Sequence, residues 1–150
     1  TDKKALKDLA RIAEVDYEKY AMDMFKAGSS IEGMSINEVI HIDFKNFIID
    51  NQKLGIGQIS TMSTEEIMSK QDEFIETLND IARNEDYTAV ALFVTDILKN
   101  GSYVLFNEDS KEVFSGSFNV ENIEEAHFFD GLVSRKKQMV PKIMNYLDNK

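Results

Sequence analysis

Apolar residues recur at helical spacing early in the chain, at Leu6, Leu9, Ile12 and Ala13, then at Tyr17, Tyr20, Ala21, Met24 and Phe25 behind a cap-forming Asp16. Gly28 suits the C-cap of the second run, and the small, polar stretch 29–34 reads as a boundary. Residues 1–33 are therefore expected to be a helical linker or the tail of a preceding domain, and 34–150 a globular unit.

Within that unit, Ser35 and Glu38 form a capping-box pattern ahead of a short helix from Ile36 to about His41. Phe44–Ile49 and Lys53–Thr61 alternate as strands, and the turn formers Asp50 and Asn51 join them into a hairpin. Gly55 and Gly57, inside the second strand, mark a bulge or a close approach by other atoms. Ser63 and Glu66 repeat the capping pattern, and Ile67, Gln71, Phe74, Leu78, Ile81 and Ala82 trace one face of a long helix ending near Arg83. Thr88–Val94 is almost wholly apolar, as in a central strand covered on both faces. Asn100-Gly101 predicts a tight hairpin turn into Tyr103–Phe106. Lys111–Phe114 and Phe128–Val133 read as weaker strands, and Ile143, Met144 and Leu147 lie on a closing helix. This order predicts an α/β fold: a mixed, five-stranded-type sheet flanked by helices, with a helical extension at the N-terminus.

Composition narrows the setting. A chain of 150 residues, 43% hydrophobic, can bury one substantial core. The absence of cysteine removes disulfides and thiolate metal sites and favours a reducing, cytoplasmic setting. No apolar run approaches the roughly 20 residues that cross a bilayer, and the first residues lack a secretion-signal pattern, so no membrane partner is expected. A start at Thr1, directly in a helical pattern, reads as a fragment of a longer protein.

The net charge of −10 disfavours nucleic acid and acidic membranes as partners. Charge is unevenly placed, however. Residues 135–150 carry five bases and one acid, a net +4, leaving −14 for the rest. A compact cationic end on an acidic body points to a small, local anion site.

Pro141 is tolerated only in the first turn of a helix, so the last helix is expected to begin near Gln138. Ser134, Arg135, Lys136 and Lys137 then occupy the strand-to-helix corner. Cations there oppose the helix macrodipole at roughly 0.3–1 kcal/mol each. A bound anion reverses that sign, because backbone N–H groups, an arginine fork and lysine charges converge on it. A solvated basic turn is the competing reading of the same residues.

The segment Ser134-Arg135-Lys136-Lys137-Gln138, followed by Met139, Val140 and Pro141, resembles the SRKKQ-V-V-P signature of family II inorganic pyrophosphatases, with Met in place of the first Val. Residues 9–28, 41–47 (HIDFKNF), 55–62 (GIGQISTM) and 94–98 (VTDIL) resemble family segments in the same order, so the resemblance covers almost the whole chain. It implies the C-terminal, DHH-associated domain of such an enzyme, with 1–33 as linker from the preceding DHH domain. It further implies Mn2+ or Co2+ held by that N-terminal domain, with Mg2+ accompanying the substrate, and pyrophosphate bound by Lys45, Arg135 and Lys136. Ser134, Lys137 and Gln138 would shape the corner. On this reading the fragment binds no metal, is inactive alone and is expected to be a monomer.

Two other functions compete: an exopolyphosphatase or another DHH phosphoesterase lobe, and a noncatalytic module that binds phosphate-containing ligands or a protein. His41 and His127 stand in no ligand spacing and read as surface or helix-end histidines. Asp96 reads as a turn or cap residue, the methionines as core filler, and the pairs Glu65–Glu66 and Glu124–Glu125 as solvated charges.

Overall fold

A computed structural model describes residues 31, 33–124 and 126–149. The helices expected between Leu6 and Gly28 lie outside the described residues. The element order begins with α1 (Ile36–Ile40), β1 (Phe44–Ile49) and β2 (Gln52–Thr61), followed by α2 (Glu65–Met68) and α3 (Gln71–Asn84). Then come β3 (Ala89–Asp96), β4 (Gly101–Phe106), α4 (Lys111–Phe118), β5 (His127–Asp130), a π-helical turn (Arg135–Met139) and α5 (Val140–Asp148). The five strands form one mixed sheet in the order β1-β2-β3-β4-β5, parallel between β2 and β3 and antiparallel elsewhere.

The period-two alternation of the strands divides the core into two layers. Ala89, Ala91 and Phe93 of β3 point to one side with Leu54, Ile56, Val104 and Phe106. That side is covered by Val113 and Phe114 of α4 and by Val140, Ile143 and Leu147 of α5. Val90, Leu92 and Val94 point the other way, under Val39 and Ile40 of α1 and Phe74, Ile75, Leu78 and Ile81 of α3. Every residue of β3 is buried, which explains its unbroken apolar sequence.

Local signals produced several elements as expected. Ser35 Oγ accepts from Glu38 N and Glu38 returns a carboxylate oxygen to Ser35 N, both at 3.1 Å, closing the capping box. Asp50 and Asn51 both adopt positive φ (47° and 65°), the backbone of a type I′ hairpin turn. Gly57 answers a close approach: a Cβ there would lie 2.8 Å from the Ile40 carbonyl oxygen.

Four expectations are corrected. Lys111–Phe114 belongs to helix α4, whose Val113, Phe114 and Ser117 are buried on one face and which ends at Asn119 in the left-handed region (φ 55°). Apolar residues so spaced suit a strand or a helix, and packing against α5 selects the helix. The helix expected from Ser63 is two helices; the N-cap position of the first is Thr64, without a side-chain cap bond, and Ser63 instead donates its N–H to Thr61 Oγ1 at 3.1 Å. Asn100-Gly101 is not a two-residue turn. Residues 97–100 connect β3 to β4, while Gly101 begins β4, where a Cβ would meet the Phe128 ring and the Phe129 carbonyl oxygen.

The fourth correction concerns the last helix, which starts at Arg135 rather than near Gln138. Ser134 N-caps it, and Met139 N–H reaches back to the Ser134 carbonyl at 3.1 Å, an i to i−5 bond. A proline ring crowds the carbonyl four residues before it and offers no N–H. The wider π turn preceding Pro141 therefore lets the helix extend upstream of it.

Candidate functional site

The apolar rows on the α4/α5 side of the sheet end together. After Leu54 and Ile56 comes Gln58, after Ala91 and Phe93 comes Thr95, and before Val104 and Phe106 stands Ser102, all on the same face by strand alternation. Thr95 and Ser102 are direct cross-strand partners. Gln58 Nε2 donates to Thr95 Oγ1 at 3.0 Å and to the Val133 carbonyl at 2.9 Å. Thr95 Oγ1 and Ser102 Oγ share a hydrogen bond of 2.7 Å, and Ser102 Oγ donates to the Leu132 carbonyl at 2.6 Å. This polar seam, towards the carboxyl ends of the parallel strands β2 and β3, holds residues 132 and 133 on the sheet.

The corner is closed from its other side by Gln138. Its Oε1 accepts from Val133 N and Ser134 N, each at 2.8 Å, and its Nε2 donates to the Gly131 carbonyl at 3.0 Å. Ser134 Oγ accepts from Lys137 N at 3.1 Å. Ser134 and Gln138 thus make the turn on which the three cations stand. The side chains of Lys136 and Lys137 are exposed at the start of the helix.

Arg135 turns inwards, with its side chain only 10% exposed. Nη1 donates to the carbonyls of Asp43 (2.8 Å) and Ile56 (3.2 Å), and Nη2 donates to Asp43 Oδ1 at 2.8 Å. Those three bonds use three of the five N–H donors of a guanidinium. Lys45 is the cross-strand partner of Ile56, whose carbonyl Arg135 contacts, and it is exposed. It shares the α5-facing side of the sheet with Phe47 and Ile49, which pack on that core. Lys45 and Arg135 therefore meet one face at one register, although 90 positions separate them.

The donor set formed by Lys45, Arg135, Lys136 and the helix N-terminus suits an anion. It does not suit Mn2+ or Co2+, which take imidazole and carboxylate ligands. Among the described residues, no group of three or more His, Cys, Asp or Glu is placed to hold a metal ion. His41 Nδ1 lies 2.7 Å from the Asn37 carbonyl at the end of α1, and His127 packs on the Phe129 ring. Asp96, buried, accepts from Lys99 N at 3.0 Å, the turn role expected of it. No described helix is long and apolar enough to cross a membrane.

Sequence reasoning singled out the cations but not Asp43, Gln58, Thr95 and Ser102. A signal was present for the last three: each is a polar interruption at the end of an apolar strand. Nothing local marks Asp43 as a partner of Arg135.

The DHHA2 domain model matches residues 22–146. A protein of Clostridium acetobutylicum named as a probable manganese-dependent inorganic pyrophosphatase is 36% identical over 149 residues, covering 99% of this chain and 48% of that protein. The manganese-dependent inorganic pyrophosphatase of Methanocaldococcus jannaschii is 37% identical over 143 residues (95% and 46%). The cobalt-dependent inorganic pyrophosphatase of Clostridium perfringens is 37% identical over 142 residues (95% and 26%). A crystal structure reported as that of a family II inorganic pyrophosphatase from Methanococcus jannaschii superposes with a TM-score of 0.76 at 36% identity, covering 98% of this chain and 48% of that one. The chain thus spans about half the length of the first two relatives and about a quarter of the third. With its mixed five-stranded sheet and a family match over most of its length, the chain belongs to the DHHA2 domain family.

Proposed function

We propose that this domain is the substrate-binding lobe of an inorganic pyrophosphatase, in which Lys45, Arg135 and Lys136 grip pyrophosphate. The observation that carries the reading is the placement of Lys45 and Arg135 at one register of one sheet face, next to the helix start that bears Lys136. Pyrophosphate is strongly anionic, and its hydrolysis requires charge to be neutralised on both phosphoryl groups. Arg135 has two N–H donors beyond its three protein bonds, and the exposed lysines add mobile charge. Ser134 and Gln138 set the turn, and Lys137 lends its N–H to that turn. The lobe's residues bind and orient the anion and exclude water from it on closure.

The metals belong elsewhere on this reading, in a DHH domain of the same protein. There Mn2+ or Co2+, with Mg2+ on the substrate, would supply an activated hydroxide and Lewis acidity. The relatives' names, manganese- and cobalt-dependent, support that division, as does the length of those proteins beyond the matched part.

The test is kinetic, in the full-length protein that carries this chain. Lys45→Ala, Arg135→Ala and Lys136→Ala are each expected to lower pyrophosphate turnover about 10²- to 10³-fold with metal content unchanged. Near-normal kinetics in all three would remove these residues from the site. Tripolyphosphate serves as the comparison substrate, and preferential turnover of it would favour an exopolyphosphatase instead.

A further inference from the structure

The arginine assigned to the anion already faces an anion. Asp43 Oδ1 lies 2.8 Å from Arg135 Nη2, and the Asp43 side chain is itself 46% exposed, far more than that of Arg135. Holding Arg135 in place does not demand this charge. The carbonyls of Asp43 and Ile56 both accept from Nη1, and the Asp43 carbonyl also accepts from Gln58 N at 3.0 Å, which anchors that backbone to β2. The carboxylate adds something the carbonyls do not, a full negative charge in contact with the fork.

Resting on the reading above, we propose that Asp43 is a positioning residue that orients Arg135 and tempers its charge, setting how tightly the site holds pyrophosphate and the phosphate released from it. A phosphoryl group on the free donors of Arg135 would lie within a few ångströms of the Asp43 carboxylate. Their repulsion weakens binding of substrate and product alike. A grip made of two lysines and an untempered arginine would retain inorganic phosphate and slow each turnover.

The experiment is Asp43→Asn in the full-length protein, because asparagine keeps an oxygen acceptor for Nη2 and removes the charge. The KM for pyrophosphate and the inhibition constant of inorganic phosphate are both expected to fall about three- to tenfold, as for loss of a unit charge some 6 Å away in a mostly aqueous dielectric. The shift should shrink with added salt. It should be smaller in the Arg135→Ala background, where no guanidinium holds the anion beside Asp43. Unchanged or raised constants would mean that Asp43 only braces the fold, and a fall undiminished without Arg135 would mean that Asp43 repels the anion without acting on that guanidinium, which overturns the positioning role. Should asparagine prevent folding, Asp43→Ser removes the charge together with the Nη2 acceptor, and the inhibition constant of phosphate is still expected to fall, by less than in the asparagine variant. If Arg135→Ala is itself silent, Arg135 leaves the site and the tempering role falls with it, whereas the substrate-lobe reading fails only if Lys45→Ala and Lys136→Ala are silent too. If Arg135→Ala is crippled while Asp43→Asn is silent, only the tempering role is lost.

Discussion

Gln58 of β2 donates its side-chain amide to the Val133 carbonyl at 2.9 Å, tying the middle of the sheet to the cationic corner across 75 residues of chain. The same amide donates to Thr95 Oγ1, so a single side chain couples two parallel strands to the loop that carries Arg135. Gln58→Leu keeps the bulk and removes both donors. The two lost bonds are expected to cost about 1–3 kcal/mol in chemical denaturation. Amide hydrogen exchange should rise selectively at residues 131–138, ahead of β3. Uniform destabilisation with no local rise in exchange would show that the seam does not anchor the corner.

Ser134 offers a way to separate folding from charge at that corner. Its hydroxyl caps the helix through Lys137 N. Ser134→Ala is expected to lose about 1 kcal/mol of stability. Ser134→Asp restores a capping oxygen and favours the helix dipole, so its stability should match or exceed the parent. Yet a carboxylate beside Lys136 and Lys137 should weaken inorganic pyrophosphate binding, read by titration calorimetry. An aspartate variant that binds as tightly as the parent would place the anion away from this helix start.

Gly57 makes a purely steric prediction. Its backbone runs under the end of α1, and an added Cβ would lie 2.8 Å from the Ile40 carbonyl and 3.2 Å from Leu92 Cδ1. The obstructing oxygen is backbone, so it cannot rotate away. Gly57→Ala is expected to destabilise the domain by about 1–3 kcal/mol, although alanine lowers the entropy of the unfolded chain and would otherwise stabilise. Thermal unfolding checks this, and a variant as stable as the parent would contradict the close packing of α1 on β2.

Much of the site was legible in the chain because its signals are local. A capping box closes within four residues, a type I′ turn within two, and SRKKQ is a contiguous run whose charge conflicts with its helix position unless something anionic compensates. Alternation along β1 and β2 places Lys45 on the face of Phe47 and Ile49 once the strand is granted. The Lys111–Phe114 expectation failed for the converse reason. A short apolar pair such as Val113-Phe114 fits either period, and the decision lay with α5 packed beside it.

By itself, then, the sequence determined the five strands, the first helix and the cationic composition of the corner. The tertiary structure alone decided that Arg135 is paired with Asp43, 92 residues earlier, that Gln58 moors Val133, and that a π turn lets the last helix begin before Pro141. Short-range preferences are written in neighbouring residues. Partnership between distant polar groups is fixed only when burial of the two apolar layers brings strand ends and helix start to one place, where donors left unpaired would be costly.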